Sequence, residues 1–73
     1  MPARLSKIKK AAAKRSIRLE EPSSGSHWKF YDSSGKMYTV PAHNGLKSEI
    51  TDKYINAMCR TFGIDPKKFK KDL

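Results

Sequence analysis

The chain contains one cysteine and no long apolar run, and both features restrict what it can be. Cys59 cannot form an internal disulfide, and its neighbours Ile55, Met58 and Phe62 predict a buried thiol on a helix face, in a reducing compartment. No apolar run approaches the roughly 18 residues that span a bilayer. The start of the chain also lacks the apolar core of a secretory signal. We therefore expect a cytoplasmic protein that does not enter a membrane.

The sequence also lacks the motifs of metal and cofactor enzymes. It has two histidines, and neither CxxC nor HxxxH spacing occurs, so no zinc site is expected. No phosphate loop, dinucleotide fingerprint or nucleophile elbow is present. A chain of this length buries only about 60% of its unfolded surface, which leaves few apolar residues to line a deep cavity. We expect no metal, no small-molecule cofactor, and a site on a surface cleft or an exposed sheet face.

Acidic residues are missing from the first quarter of the chain, and the charge distribution follows from this. Residues 1–18 carry seven basic side chains and no acid, residues 19–63 carry five of each sign, and residues 64–73 carry four basic and two acidic. The formal net charge of +9 therefore lies at the two ends. A polyanion such as nucleic acid is the expected partner. The alternative is that the basic ends only confer solubility.

The length predicts one domain, residues 1–73, which begins with a basic segment. Residues 1–14 form a basic helix or arm: Leu5, Ile8 and Ala12 recur at helical spacing, and the alanines favour a helix. The apolar stripe is thin, so an arm that orders only on binding is the competing interpretation.

Three short strands are predicted next, from the alternation in "SIRLE", "HWKFY" and "KMYTVP". Ile17 and Leu19 share one face of the first strand, and the side chains expected on the buried face of the hairpin are Trp28, Phe30, Tyr38 and Val40. In that arrangement His27 and Lys29 lie on the open face of the sheet. Between the last two strands, "DSSGK" predicts a hairpin turn in which Asp32 caps the backbone and Gly35 takes a positive φ.

The strongest helix signal is "SEITDKYINAMCRTF", residues 48–62, which ends at Gly63. Its apolar stripe comprises Ile50, Tyr54, Ile55, Met58, Cys59 and Phe62. Residues 64–73 form a basic extension in which Asp65 caps a short turn or helix that starts at Pro66, and Phe69 tethers it to the core. The predicted fold class is α+β, with helices on one face of a three-stranded antiparallel sheet, an order shared by double-stranded-RNA-binding domains.

The two histidines are the groups whose ordinary pKa lies near neutrality, which makes them the candidates for proton transfer. Cleaving RNA without a metal requires a base for the ribose 2′-hydroxyl, an acid for the leaving oxygen and cations for the phosphorane. His27 supplies one proton-transfer group beside Lys29, while Ser26 and the amides of the Gly25 turn are placed to hold a phosphate. His43 is a second candidate if its loop folds back. The alternatives are an exposed histidine at a strand end and a histidine in a helix-entry turn.

The central segment carries little net charge, so RNA is expected to be held largely by the chain ends. Lys7, Lys9 and Lys10 of the first segment are the predicted phosphate contacts. Cys59 is a poor candidate nucleophile, because its predicted place is an apolar helix stripe.

Two linked motifs resemble a known family. The stretch "GSHWKFYDSSGKMYTVPAH" is similar to the HicA family of toxin–antitoxin ribonucleases, in which a G-S-H-x-x-F strand is followed by a hairpin and a strand ending in V-P-x-H. The downstream "NGLKSEITDKYINAMCRTFGID" resembles the terminal helix of one branch of that family. The resemblance covers about residues 16–64.

The resemblance implies a fold like the double-stranded-RNA-binding domain and an endoribonuclease that cuts mRNA to arrest growth. It also implies a HicB-like antitoxin as inhibitory partner. The catalytic histidine of the family falls on His27, Gly25 and Ser26 match the other positions of the triplet, and His43 matches the histidine after V-P in a supporting role. A tryptophan, Trp28, stands where a second histidine is common in the family, so one imidazole lies in the motif. The alternative function is a non-catalytic RNA-binding module.

Overall fold

The computed structural model describes residues 2–73, which form three α-helices and five short strands. In chain order the elements are β1 (Ala3–Arg4), α1 (Leu5–Ala13), β2 (Arg18–Glu20), β3 (His27–Tyr31), β4 (Met37–Pro41), β5 (Glu49–Ile50), α2 (Asp52–Phe62) and α3 (Pro66–Lys71). A 3₁₀ turn, Gly45–Lys47, precedes β5. The predicted α+β class and the helix–strand–strand–strand–helix order are confirmed, and β1 and β5 are additions to it.

The main sheet is antiparallel and has the order β2-β3-β4, so β3 is the central strand. Its register pairs Phe30 with Leu19 on one side and with Tyr38 on the other, and it pairs Trp28 with Val40. Because side chains alternate between the faces of a strand, these five residues share one face. The predicted inward-facing set of the strands is confirmed, with Phe30 fully buried.

The turn between β3 and β4 is held by a single carboxylate. Oδ1 of Asp32 accepts hydrogen bonds from the backbone amides of Ser34 and Lys36, both at 2.9 Å, and from the Ser34 hydroxyl at 2.7 Å. Gly35 has φ 89°, a conformation that costs glycine little. Both predictions for this turn are confirmed, and the turn sets the register of the hairpin.

The hydrophobic core lies between the helices and the inward face of the sheet. Helix α1 contributes one buried stripe, α2 a second, and α3 a single fully buried ring, Phe69. The buried helical residues are Leu5, Ile8, Ala11, Ala12, Ile55, Met58, Cys59 and Phe69. The first segment is thus a packed helix, and its thin apolar stripe suffices because the alanines let the helix approach closely.

The predicted start of the long helix is wrong by several residues. The segment 48–62 was expected to be helical throughout, whereas α2 begins at Asp52. Ile50 pairs with Ala3 in a two-stranded ladder, and the amide of Leu5 donates to the carbonyl of Ser48 at 2.8 Å. Pairing with the N-terminal strand therefore holds residues 48–50 extended, against their local helical pattern.

Two members of the predicted apolar stripe of that helix are placed differently. Ile50 is buried, but it lies in β5 rather than on the helix. Tyr54 is 36% exposed, and it lies at the edge of the stripe rather than in the core. The stripe is consequently narrower than predicted, and Ile55, Met58 and Cys59 form its buried part.

Helix α3 is capped as predicted and is fastened to α1. The side chain of Asp65 accepts a hydrogen bond from the amide of Lys67 at 2.9 Å, and Pro66 is the first helical residue. Arg15 places its guanidinium 5.0 Å from the centre of the Phe69 ring and 2.9 Å from the carboxylate of Asp72. The two ends of the chain therefore lie side by side.

Candidate functional site

One face of the main sheet is not covered by the helices, and we call it the open face. By strand alternation it comprises Arg18, Glu20, His27, Lys29, Tyr31, Met37, Thr39 and Pro41. His27 and Lys29 are both exposed, as predicted from the sequence. Because Trp28 and Phe30 anchor the same strand in the core, the backbone that presents these two side chains is firmly held.

A cleft of about 360 Å³ runs along the open face beside β3. Its lining residues are Glu20, Glu21, Pro22, Ser23, Ser24, His27, Lys29 and Tyr31. The cleft thus combines an imidazole, an ammonium group, a phenol and two carboxylates. An imidazole, carboxylates and a phenol all occur as general acids or bases, and an ammonium group stabilises developing negative charge. This arrangement suits proton transfer at a phosphate ester.

Three members of the cleft that carry ionisable side chains were not identified from the sequence as site residues: Glu20, Glu21 and Tyr31. Alternation already placed Tyr31 on the same face as His27, so a signal for it was present. Glu20 lies opposite Lys29 in the strand register. That proximity depends on how β2 pairs with β3, which no local pattern reveals.

The turn before β3 joins the cleft to the end of β4. Gly25 has φ 83°, and a side chain built at this position would meet no atom within 4 Å, so the space above its backbone is open. The carbonyl of Ser26 accepts a hydrogen bond from the amide of Ala42 at 2.7 Å, which continues the β3–β4 ladder. Gly25 and Ser26 are therefore held next to His27, where a phosphate bound to their polar groups would adjoin the cleft.

His43 lies at the same end of the sheet as His27 but outside the residues that line the cleft. Pro41 pairs with His27, and the amide of Ala42 donates a hydrogen bond to the carbonyl of Ser26, so His43 follows directly after the last residue bonded to this part of the hairpin. Its side chain is exposed in the turn before the 3₁₀ segment. His43 therefore lies two residues beyond Pro41, the strand partner of His27, and does not line the cleft.

The three lysines predicted to contact phosphate lie elsewhere. Lys7, Lys9 and Lys10 are exposed on α1, which packs against the covered face of the sheet. Their side chains point away from the core, so the helix and sheet layers separate them from His27. Lys7 and Lys9 are two residues apart, which places them on opposite flanks of the helix.

The charge at the two ends of the chain meets on the helical side of the molecule. Arg15 donates a hydrogen bond to the carbonyl of Lys68 at 3.5 Å and pairs with Asp72, while Lys7 and Lys70 line one common cleft. The exposed lysines of α1, its C-cap and α3 are Lys7, Lys9, Lys10, Lys14, Lys67, Lys68 and Lys71. Lys9 lies on the flank of α1 away from Lys7, and we call the other six residues the helical basic surface. It was not foreseen as one surface, because its halves are about fifty residues apart in the sequence.

A larger cleft of about 750 Å³ lies between β1, β5 and α3, away from His27. Lys70 places its Nζ 2.7 Å from Oδ1 of Asp52 there, and this contact holds the pKa of the Asp52 carboxyl below its usual range. Neither histidine lines this cleft. The ion pair links the start of α2 to α3, which is a structural role.

Cys59 is fully buried on α2, and burial raises the pKa of its thiol, which disfavours the reactive thiolate. Among residues 2–73, no group of three or more histidine, cysteine, aspartate or glutamate side chains is arranged to hold a metal ion. In the same range, no helix is both long and apolar enough to cross a membrane.

Comparison of the chain with known protein families, with curated proteins and with solved structures gives no match in any of the three.

Proposed function

We propose that the protein is an endoribonuclease that cleaves mRNA in the cytoplasm without a metal cofactor, with His27 as a catalytic residue. The observation that supports this proposal best is the cleft on the open face. There an exposed imidazole, firmly positioned by a core-anchored strand, lies beside Lys29, two carboxylates and a phenol. The motif resemblance of the surrounding sequence to HicA ribonucleases points to the same residue.

The proposed reaction is attack of a ribose 2′-oxygen on the adjacent phosphorus. The O2′–P bond forms, the P–O5′ bond breaks, one protein group takes the 2′-hydroxyl proton and another gives a proton to the departing 5′-oxygen. His27 fills one of these roles, and Lys29 stabilises the charge that develops on the phosphoryl oxygens. The partner group is drawn from Glu21 and Tyr31, which line the same cleft, and His43, which lies two residues beyond the strand partner of His27.

In a cell, we propose that this activity arrests growth and that a HicB-like antitoxin protein inhibits it. An inhibitor of this kind would cover the open face, because that face holds the cleft. Induced expression of the wild-type chain should lower the viable count, and His27→Ala should restore it. A neighbouring reading frame for a HicB-like protein would identify the partner, and co-expression of that protein should restore growth.

The decisive experiment is cleavage of a labelled single-stranded transcript by purified protein. We expect His27→Ala to slow cleavage by about 100- to 10,000-fold, the usual contribution of a general acid or base. Lys53→Ala is the control, since it removes an exposed side chain of α2 that does not line the cleft, and it should retain nearly full activity. Thermal unfolding of both variants shows whether the fold is intact. Unchanged cleavage by well-folded His27→Ala protein would overturn the assignment of His27.

The second candidate function is a non-catalytic RNA-binding module, and the helical basic surface favours it. Six exposed lysines on the opposite side from the cleft can bind phosphates whether or not His27 acts. This alternative predicts salt-dependent RNA binding with no shortening of the transcript. A transcript cut by the wild-type protein but left whole by His27→Ala would eliminate it.

A further inference from the structure

The open face is organised in rows that cross the three strands. Arg18, Tyr31 and Met37 form the first row, and Glu20, Lys29 and Thr39 form the second, by the register of β2, β3 and β4. His27 and Pro41 form the third. Side chains two residues apart on one strand are about 6.7 Å apart, so this is the distance between successive rows.

The first row contains a flat, exposed guanidinium group that contacts an aromatic ring and a carboxylate. The carbon of the Arg18 guanidinium lies 4.9 Å from the centre of the Tyr31 ring. Its Nε and Nη2 atoms each lie 3.4 Å from Oε2 of Glu20. The Arg18 side chain nevertheless remains 66% exposed. The ring and the carboxylate thus orient the group while most of its surface faces solvent.

Beside this pair lies an exposed apolar side chain. Met37 is directly opposite Tyr31 in the register and is 46% exposed. The row therefore presents a planar cation, an aromatic ring and a polarizable thioether side by side. Bases of unpaired RNA stack on aromatic rings and on arginine planes.

We infer that the Arg18–Tyr31 row is a stacking platform for one base of a single-stranded RNA, a conclusion that rests on the proposed function and adds a substrate-binding subsite to it. The spacing of the rows favours one conformation of the bound RNA. Phosphates along each strand of a duplex advance about 3.4 Å per nucleotide, half of the row spacing, so an unstacked, extended strand matches one nucleotide to each row.

The platform also has a defined offset from the catalytic histidine. Tyr31 lies four residues beyond His27 on β3, which is about 13 Å, or two rows. Lys29 occupies the row between them, where the ammonium group faces the intervening phosphate. The stacked base therefore belongs to a nucleotide two positions from the bond that His27 would cleave.

The test is RNA binding by protein that carries His27→Ala, so that the probe is not consumed. The probe is a labelled single strand of about eight nucleotides, within the usual site sizes of single-strand-binding folds. In this background, Tyr31→Ala and Arg18→Lys should each weaken RNA binding. The expected loss is about 5- to 150-fold, which corresponds to the loss of one stacked base. Arg18→Lys is informative because it keeps the charge and removes the plane. Lys36→Ala, which removes a charge from the exposed hairpin turn, is the control and should change affinity far less.

A probe that lacks a single base separates stacking from contact with the backbone. Removing the stacked base should weaken binding to the His27→Ala protein and have little further effect once Tyr31→Ala is present. A blunt duplex of the same sequence has no unpaired base to stack, so the His27→Ala protein should bind it equally well with and without Arg18→Lys. If every base-deleted probe binds as tightly as the intact one, the platform is overturned.

The two proposals can fail separately. Cleavage by the wild-type protein together with indifference to Arg18→Lys and to base deletion would remove the platform and keep the ribonuclease. Base-dependent binding of RNA that the wild-type protein never cuts would keep the platform and remove the ribonuclease. Failure to bind any single-stranded probe would overturn both.

Discussion

His27 takes its position from its neighbours in the strand rather than from contacts of its own ring. Trp28 and Phe30 are buried beneath the sheet, and the register ties His27 to Pro41 on β4. A histidine placed in this way needs no separate support to face the cleft. Local alternation was therefore enough to predict its orientation, and its role as a catalyst stays a prediction.

The side chain of Asp32 stabilises the turn of the β3–β4 hairpin, next to the platform, through hydrogen bonds. Its Oδ1 accepts three hydrogen bonds, and the bond from the Ser34 hydroxyl, followed by those from the Lys36 and Ser34 amides, lowers the pKa of the carboxyl below its ordinary value of 3.8. A pKa that is lower in the folded state means that the ionised form stabilises the fold. This stabilisation is complete above the ordinary pKa and is lost as the pH falls through the folded value.

We expect Asp32→Asn to lower the free energy of unfolding at pH 7 and to reduce its decline below about pH 4, because the substituted side chain does not titrate. Urea unfolding from pH 7 to pH 2, followed by Trp28 fluorescence, measures both effects. Ser33→Ala, in the same exposed turn, is the control for disturbance of the turn. Parallel curves for wild type and Asp32→Asn across the acid range would contradict the prediction.

At the scale of elements, the capping and turn signals located α3 and the hairpin, whereas β1 and β5 escaped prediction. Asp65, Pro66 and Gly35 act through bonds within a few residues, so their effects are visible in the sequence. The Ala3–Ile50 pair joins residues 47 positions apart. A two-residue ladder is too short to show a periodicity in the sequence. Because β5 holds residues 49–50 extended, the first turn of the predicted helix does not form.

Helix α3 is short, and its attachment depends chiefly on one ring. Phe69 is fully buried and lies under the guanidinium of Arg15. We expect Phe69→Ala to reduce the free energy of unfolding by about 3–5 kcal/mol, the usual cost of emptying a large aromatic site in a core. Phe69→Leu, which keeps most of the volume, should cost much less.

Urea unfolding of these variants measures the difference, and Tyr54→Ala is the control because it removes a partly exposed aromatic ring from α2. Its expected cost is near 1 kcal/mol or below. A cost for Phe69→Ala no larger than that of the control would mean that α3 unfolds independently of the core.

At the scale of the whole molecule, the helical basic surface lies on the side opposite the candidate catalytic cleft. The helices pack against the face of the sheet opposite the cleft, so an RNA that reaches both the cleft and the helical basic surface has to pass around an edge of the fold. The open face carries both signs of charge, including Glu20 beside Arg18. We therefore propose that the helices attract the backbone of the RNA and that the sheet contacts its bases.

This separation predicts which lysines set the salt dependence of RNA binding. Replacing Lys7, Lys10 and Lys14 by glutamine should weaken binding of a long single strand and lower the slope of log K against log salt by up to about 2, since each phosphate contact contributes about 0.7. Lys36, Lys47 and Lys53, also exposed, provide a control triple with the same change in net charge. Filter binding across a salt series measures both slopes.

Lys9 tests the geometry within α1. It was predicted from the sequence together with Lys7 and Lys10, yet it lies on the flank away from Lys7. We expect Lys9→Gln to affect the slope less than Lys7→Gln. Equal slopes for the control triple and for Lys7, Lys10 and Lys14 would show that net charge alone, and not the helical basic surface, governs binding.

The sequence by itself determined the features that depend on neighbouring residues. Period-two alternation placed Trp28 and Phe30 inward and His27 outward, and the chemistry of Asp32, Gly35 and Asp65 determined a turn and a cap. These are local effects, because side-chain direction and short backbone hydrogen bonds are decided within a few residues.

Only the tertiary structure decided which distant residues meet. Strand register placed Glu20 opposite Lys29 and set Arg18 over Tyr31, while Arg15 joined the two basic ends into one surface on the far side of the core. Such contacts arise from pairing and packing between segments far apart in the chain, and a local pattern is compatible with many such pairings. The candidate histidine could therefore be found in the sequence, whereas the cleft around it and the separation of charge from that cleft could not.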